Sequence, residues 1–357
     1  MLKKLRHLKP LYYLLAGFPL AVLGSLLGWN ASVNFVLACL GLVPLAGLVG
    51  EATEALAAVT GPRLGGLLNA TLGNAAELII TVVAIKAGYL DLVKASITGS
   101  IIGNLLLVMG FSILLGGLKN GTQHFSRARA ATHATMLVLA VVALSVPSLF
   151  NHSLSGSSLP ASASEAMSLG VAVVMIIVYL LGLIPGLRAS ASTLTQGTPE
   201  EAPRWSVRTS LSVLALATGA VVWLSEILVH SVDAVMAASG LSQFFLGIIL
   251  IPIIGNVAEH LVATQVAIKN KIELSLEIAL GSSLQIALFV APLLVFVSLL
   301  FGHQLNLVFN QFELLALVTA VIVAALVASD GETNWLEGVQ LLAVYVILAV
   351  AFFFLPG

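Results

Sequence analysis

Long apolar runs almost empty of charge constrain this chain more than any other feature. Of 357 residues, 59% are hydrophobic and 9% charged. A soluble domain is about a quarter charged, so these runs call for lipid around them rather than water. A bilayer core takes about 20 apolar residues per helix. Eleven stretches reach that length: 11–29, 32–58, 64–88, 91–117, 128–149, 165–185, 207–230, 241–268, 273–302, 306–329 and 335–355. Runs such as 137-LVLAVVAL-144 and 171-VAVVMIIVYLLGLI-184 do not alternate, unlike the strands of a membrane barrel. The expectation is an all-α membrane protein of about 11 transmembrane helices.

The basic residues orient these segments. Lys3, Lys4, Arg6 and Lys9 precede the first. Threading from a cytoplasmic N-terminus puts Arg63, Lys119, Arg127, Arg129, Arg188, Arg204, Arg208, Lys269 and Lys271 on the same side, and only Lys86 and Lys94 on the other. This follows the positive-inside rule. The first segment reads as a retained helix, since no clear small-x-small cleavage site follows it. A net charge of -1 gives no basic field for nucleic acid. The lone Cys39 excludes an internal disulfide.

Residues 186–206, GLRASASTLTQGTPEEAPRWS, read as a cytoplasmic linker. It separates halves that repeat each other. The first carries 73-GNAAEL-78 and 99-GSIIGN-104, the second 255-GNVAEH-260 and 281-GSSLQI-286, with both pairs 182 residues apart. The expected plan is an extra N-terminal helix (1–30), a five-helix repeat (31–185), the linker (186–206) and a second five-helix repeat (207–357). Five helices separate each motif helix from its counterpart, and an odd number inverts the second half, as in many secondary transporters.

Glu77 and Glu259 lie deep in apolar segments, where ionised side chains are expensive and mark function. Asn74 and Glu77 are spaced i, i+3, and Asn256 and Glu259 repeat that spacing. Gly73 and Gly255 admit close backbone and can offer carbonyls. Pro252, just ahead of Gly255, frees a backbone carbonyl in mid-membrane. Carboxylates, amides and carbonyls form an all-oxygen donor set, suited to Ca²⁺ and poor for Zn²⁺, which prefers His and Cys. Glu77 and Glu259 are the expected metal ligands, and the chemistry needs no resident cofactor, Ca²⁺ being cargo. Ser100, Asn104, Ser282, Ser283 and Gln285 add further oxygens; alone they would read as interhelical hydrogen bonding. His260, Glu51, Glu54, Glu226 and Asp233 are candidates for a proton relay or vestibule, His260 because its charge changes near neutral pH. No G-x-S-x-G or paired-histidine metal motif appears, so the chain does not read as an enzyme.

At these motifs the sequence resembles the calcium/proton exchanger (CAX) family of the calcium/cation antiporter superfamily. The resemblance is strong from about 50 to 300 and implies one central glutamate from each half, Glu77 and Glu259, lined by Asn74, Asn256, Ser100, Asn104, Ser283 and Gln285. A histidine after the second glutamate, here His260, is also family-like. The resemblance implies antiport of cytoplasmic Ca²⁺ against H⁺, with cation and protons competing for the glutamates. The alternative is a relative using Na⁺ or K⁺. The acidic central-loop helix of many eukaryotic members is reduced here to Glu200 and Glu201. The compact chain resembles prokaryotic members, implying a multi-pass protein of the cell's inner membrane. Partners are then Ca²⁺, H⁺ and the bilayer, with homo-oligomerisation left open.

Overall fold

The computed structural model describes residues 9–153, 161–193 and 205–355, almost all of them helical. After a short Lys9–Tyr13 helix come α1 (Gly17–Leu26), α2 (Ala31–Leu72), α3 (Ala75–Lys86), α4 (Leu90–Ile102), α5 (Met109–Asn120), α6 (Arg127–Ser153) and α7 (Ala161–Thr193). Then follow α8 (Val207–His230), α9 (Val232–Ser239), α10 (Ile251–Ile268), α11 (Ile272–Gln285), α12 (Ala291–Leu300), α13 (Gln311–Val327) and α14 (Trp335–Phe354). Two-residue strands β1 (Gln123–His124) and β2 (Glu332–Thr333) pair antiparallel.

Among the described residues, eight helical stretches are long and apolar enough to cross a membrane. The bent pair Leu64–Leu72 and Ala75–Lys86 makes a ninth if taken as one span, and shorter apolar helices cover Leu11–Leu26 and Gln311–Val327. Side chains read from sequence set many of the boundaries. Asn30, Ser206, Asn310 and Asn334 each accept a first-turn backbone N–H and start α2, α8, α13 and α14. Gly88, at φ 85°, and Gly240, at φ 71°, supply the left-handed backbone that ends α3 and α9.

The predicted break at 59–63 is present as a reversal, although its backbone stays helical: one apolar span ends at Thr60 and the next helical stretch begins at Leu64. A straight helix would hold Ala57 and Gly65 about 12 Å apart, yet a Cβ at Gly65 would collide with the Ala57 carbonyl. The chain therefore folds back within α2 without leaving helical hydrogen bonding. Two expectations need correction. The predicted third segment, 64–88, is not one straight helix, because it bends by 42° at Gly73–Asn74. The linker also starts later than expected: residues 186–193 continue α7, and 194–204 lie outside the described residues.

The chain divides into two compact units. Unit 1 comprises Met1–Ala87, Leu180–Gly240 and Ile254–Ala258. Within it α2 packs along α1 and α8, and α8 also packs on α3. Gly17 lets α1 approach α2 closely: a Cβ there would sit 2.7 Å from the Gly41 nitrogen. Unit 2 comprises Gly88–Tyr179, Leu241–Ile253 and Glu259–Gly357. In it α5 packs on α14, and α6 on α11 and α13.

The most enclosed spans, Leu90–Asn120 and Ile272–Leu300, are 72% and 67% buried in their apolar windows, against 22% for Trp335–Phe354. Both contain a π-helical turn, Gly103–Val108 and Ile286–Val290, at positions that match under the 182-residue offset. A third π turn, Leu246–Leu250, precedes α10. Pro252 has no N–H to return to the Ile248 carbonyl, and the backbone widens there. Gly99 of α4 lies against that same carbonyl, where any Cβ would collide.

Candidate functional site

In unit 1 the first motif forms a helix start. Gly73 retains helical angles, but Asn74 leaves them, at φ −102° and ψ 34°, and becomes the N-cap residue of α3. Glu77 therefore stands in the first turn of α3, where the helix dipole favours negative charge. Asn74 is 1% exposed and Glu77 4%. The Thr81 hydroxyl donates to the Glu77 backbone carbonyl at 2.7 Å. Gly255 and Asn256, also in this unit, are buried. A Cβ on Gly255 would stand 3.1 Å from Glu77 Cγ and 3.6 Å from its Oε1. The second copy of the motif thus provides the bare backbone on which the first copy's carboxylate rests. Gly255→Ala is expected to push Glu77 aside at a cost of about 1–3 kcal/mol. The check is calcium affinity by titration calorimetry, which an inert contact would leave at the wild-type value.

The two copies are not alike locally. Asn256 and Glu259 sit inside the continuous α10, whereas Asn74 and Glu77 straddle the break. The expectation of one repeated geometry is corrected here. Pro252 is placed to relieve the second helix by a π turn, while the first helix breaks at Gly73–Asn74.

In unit 2, Glu259 is held by a chain of hydrogen bonds drawn from both halves of the sequence. The Asn104 side-chain amide donates to Ser282 Oγ at 3.1 Å. The Ser282 hydroxyl in turn donates to the Glu259 carboxylate, whose Oε2 is buried with no hydrogen-bond partner. The carboxylate is thus anchored at one oxygen only. Asn104 belongs to one matched π turn, and Ser282 lies just ahead of the other. Ser100 is buried three residues before the first turn. Ser283 turns its hydroxyl to the Ala279 carbonyl at 2.9 Å, and Gln285 keeps a buried Nε2 with no partner. His260 is half-buried, and its Nε2 also lacks a partner.

The relay and vestibule candidates disperse. Glu51 is half-buried and accepts the Tyr12 hydroxyl at 3.2 Å, while Glu54 is exposed. Glu226 pairs with Lys86 at 3.3 Å, both substantially exposed. Asp233 is exposed in the first turn of α9. No group of three or more His, Cys, Asp and Glu among the described residues is placed to hold a metal. A cation here would depend on amide, hydroxyl and backbone oxygens beside carboxylates.

Two features escaped the sequence reading. Arg129 of α6 bridges Glu273 at 3.2 Å and Glu277 at 2.9 Å on α11; the i, i+4 spacing of those acids was the available signal. Glu313 is 1% exposed at the start of α13. Its N-x-x-E spacing from Asn310 announced a capping box but not its burial.

Comparison with known proteins then adds relatives. Residues 30–184 and 209–354 match the family described as sodium/calcium exchanger protein. The chain is 44% identical over 362 residues to a protein of Aphanothece halophytica named Ca(2+)/H(+) antiporter, covering 96% of each. It is 43% identical to the Ca(2+)/H(+) antiporter ChaA of Bacillus subtilis, covering 95% of this chain and 97% of that one. Among solved structures, native YfkE superposes with a TM-score of 0.84 at 40% identity, covering 97% of this chain and 99% of the other.

Proposed function

Because the chain belongs to the sodium/calcium exchanger protein family, we propose that it is a secondary antiporter exchanging cytoplasmic Ca²⁺ for H⁺. The observation that carries this reading is the pair of glutamates at matched positions of the repeat. Glu77 is buried on the bare backbone of Gly255 in unit 1, and Glu259 is anchored through one oxygen by Ser282 in unit 2. The relatives' names support the choice of ions.

Each glutamate is costly as a bare ion in a low-dielectric interior. A bound cation removes the cost, and so does a proton. Ca²⁺ and protons therefore compete for Glu77 and Glu259, and each loaded state stays near neutral. That competition couples the two fluxes. Two protons per Ca²⁺ leave the summed charge of two carboxylates and their cargo unchanged. Asn74, Asn256, Ser100, Asn104 and Gln285 supply neutral oxygens, while Gly73 and Gly255 admit backbone. The protein is a transporter rather than an enzyme, and Ca²⁺ is its cargo rather than a resident cofactor. The extra N-terminal helix and the repeats 31–185 and 207–357 form the transport body. The distribution of Lys and Arg supports a cytoplasmic N-terminus, and the bacterial relatives support the cell's inner membrane.

Purified protein in liposomes enclosing a pH indicator tests this reading. In sodium-free buffer, added Ca²⁺ is expected to drive proton movement, with K⁺ inert. Flux that requires Na⁺ would overturn the choice of coupling ion.

A further inference from the structure

Helices α13 and α14 both begin with the capping box N-x-x-E. In α14 both carboxylate oxygens of Glu337 have donors: Oε2 accepts the Thr333 hydroxyl at 2.6 Å, and Oε1 accepts the Asn334 side-chain amide at 3.1 Å. In α13 only one oxygen of Glu313 is used. Its Oε2 accepts the Asn310 backbone N–H at 2.8 Å, while Oε1 is buried with no hydrogen-bond partner. Capping explains one oxygen and leaves the burial of the other unexplained. A bare carboxylate so placed is expensive, and a carried proton removes the charge.

A countercharge stands close by. Helix α13 packs on α4, whose Lys94 side chain is 15% exposed. The Lys94 Nζ is 3.8 Å from Asp91 Oδ1, beyond hydrogen-bonding distance, so the ammonium is loosely held. Lys94 and Asp91 both act electrostatically on Glu313. One further titratable group stands near this end: His303, in the loop before α13, whose ring lies 3.7 Å from a Cβ built on Gly88, just ahead of α4. The Gly103–Val108 turn has no titratable residue. Helix α6 reaches this end through Ser148, which accepts the Phe309 N–H at 2.8 Å; its Arg127, Arg129 and His133 lie at its opposite end, and His152 follows Ser148 by four residues. In α14 the titratable residues are Glu337, at its start, and Tyr345.

We propose that Glu313 is a third proton-binding carboxylate, whose proton exchanges with solvent against the charge of Lys94. When Glu313 carries the proton, the ammonium is left to Asp91 and water. When the proton leaves to water, the ammonium neutralises the carboxylate. Lys94 lies on the same helix as Ser100, so a shift of its charge bears on the α4 backbone that leads to Asn104. The role in transport rests on the antiport reading; the proton site itself does not.

Glutamine also completes a capping box, so Glu313→Gln keeps the cap and the volume while removing the titratable proton. Glu337→Gln is the matched control. The readout is the carbonyl stretch of protonated carboxylic acids in pH-difference infrared spectra of the full protein in lipid. The wild type and Glu337→Gln are expected to show a titrating band that Glu313→Gln loses. Superimposable spectra of the wild type and Glu313→Gln would overturn the proposal. In liposomes, Glu313→Gln is expected to lose one titration step from the external-pH profile of Ca²⁺-dependent proton flux; an unchanged profile would overturn its role in exchange. A wild type without such flux would sink the antiport reading and leave the infrared band to decide the proton site.

Discussion

Glu77→Gln is expected to abolish Ca²⁺-driven proton movement in everted vesicles while leaving the protein folded. Glutamine matches the shape of glutamate and can rest on Gly255 in the same way, so the packing in unit 1 survives. What disappears is the charge proposed to attract the cation and the oxygen proposed to take up the proton. Truncating one partner of a buried charge pair costs about 2–5 kcal/mol, or about thirtyfold to more than a thousandfold in affinity. A variant that melts like the wild type yet transports nothing is the expected combination. Wild-type flux from Glu77→Gln would remove this residue from the proposed site. Because the proton-accepting oxygen is lost too, raising external Ca²⁺ should not restore proton movement, which separates this result from a simple loss of affinity.

The second large effect concerns two glycines at equivalent places in the repeat. Gly99 and Gly281 open the paired motifs GSIIGN and GSSLQI. Gly99 lies against the Ile248 carbonyl, and across the same seam a Cβ on Gly247 would sit 2.5 Å from the Ala95 Cβ. Helix α4 and the Leu246–Leu250 turn thus approach at backbone distance, with a glycine on each side. Apart from its own stretch of helix, no described atom lies within 4 Å of a Cβ built on Gly281. Gly99→Ala should cost about 1–3 kcal/mol or more, the range for overpacking, because the atom it meets is backbone and cannot swing away. Gly281→Ala should instead stabilise by up to about 1 kcal/mol, since glycine is a poor helix former. Thermal unfolding of the two variants in detergent checks the opposite signs. Equal shifts would mean that the seam at Gly99 is looser than described.

This contrast also shows how far the sequence could be read. The apolar runs placed the long spans, because lipid exposure demands long stretches without charge, but not the short α9, which lies between two of them. The doubled G-N-x-x-E motif singled out Glu77 and Glu259, while the capping signals of Asn30, Asn310 and Asn334 stood in the sequence unused. Other features were hidden for physical reasons. A π turn adds one residue to a helix without altering its apolar composition, so Gly103–Val108 looked like any other stretch. The reversal within α2 was legible as a break at 59–63, but not that its backbone would stay helical. Both motif copies read alike, but only one is a helix start, since that depends on whether the backbone breaks at Gly73 or relaxes at Pro252. Glu313 resembled an ordinary cap because burial belongs to the packed protein. Ser282 was visible as one polar residue among several, but its place between Asn104 and Glu259 required three distant segments to meet.

The small β1–β2 ladder has a consequence for biosynthesis. Gln123 pairs with Thr333, and its side-chain amide also donates to the Ala267 carbonyl at 3.1 Å and to Asn270 Oδ1 at 3.0 Å. At about 5–20 residues per second, Ala267 leaves the ribosome about 7–30 s after Gln123, and Thr333 about 10–40 s after it. Until then Gln123 has none of these partners, although the helices before it are already made. Unit 2 is therefore fastened late and in sequence, first to the end of the helix that carries Glu259 and then to the residues that open the last helix. A ribosome that stalls before the final helix would leave the glutamates synthesised but the strand at Gln123 unpaired, an edge that quality control can recognise.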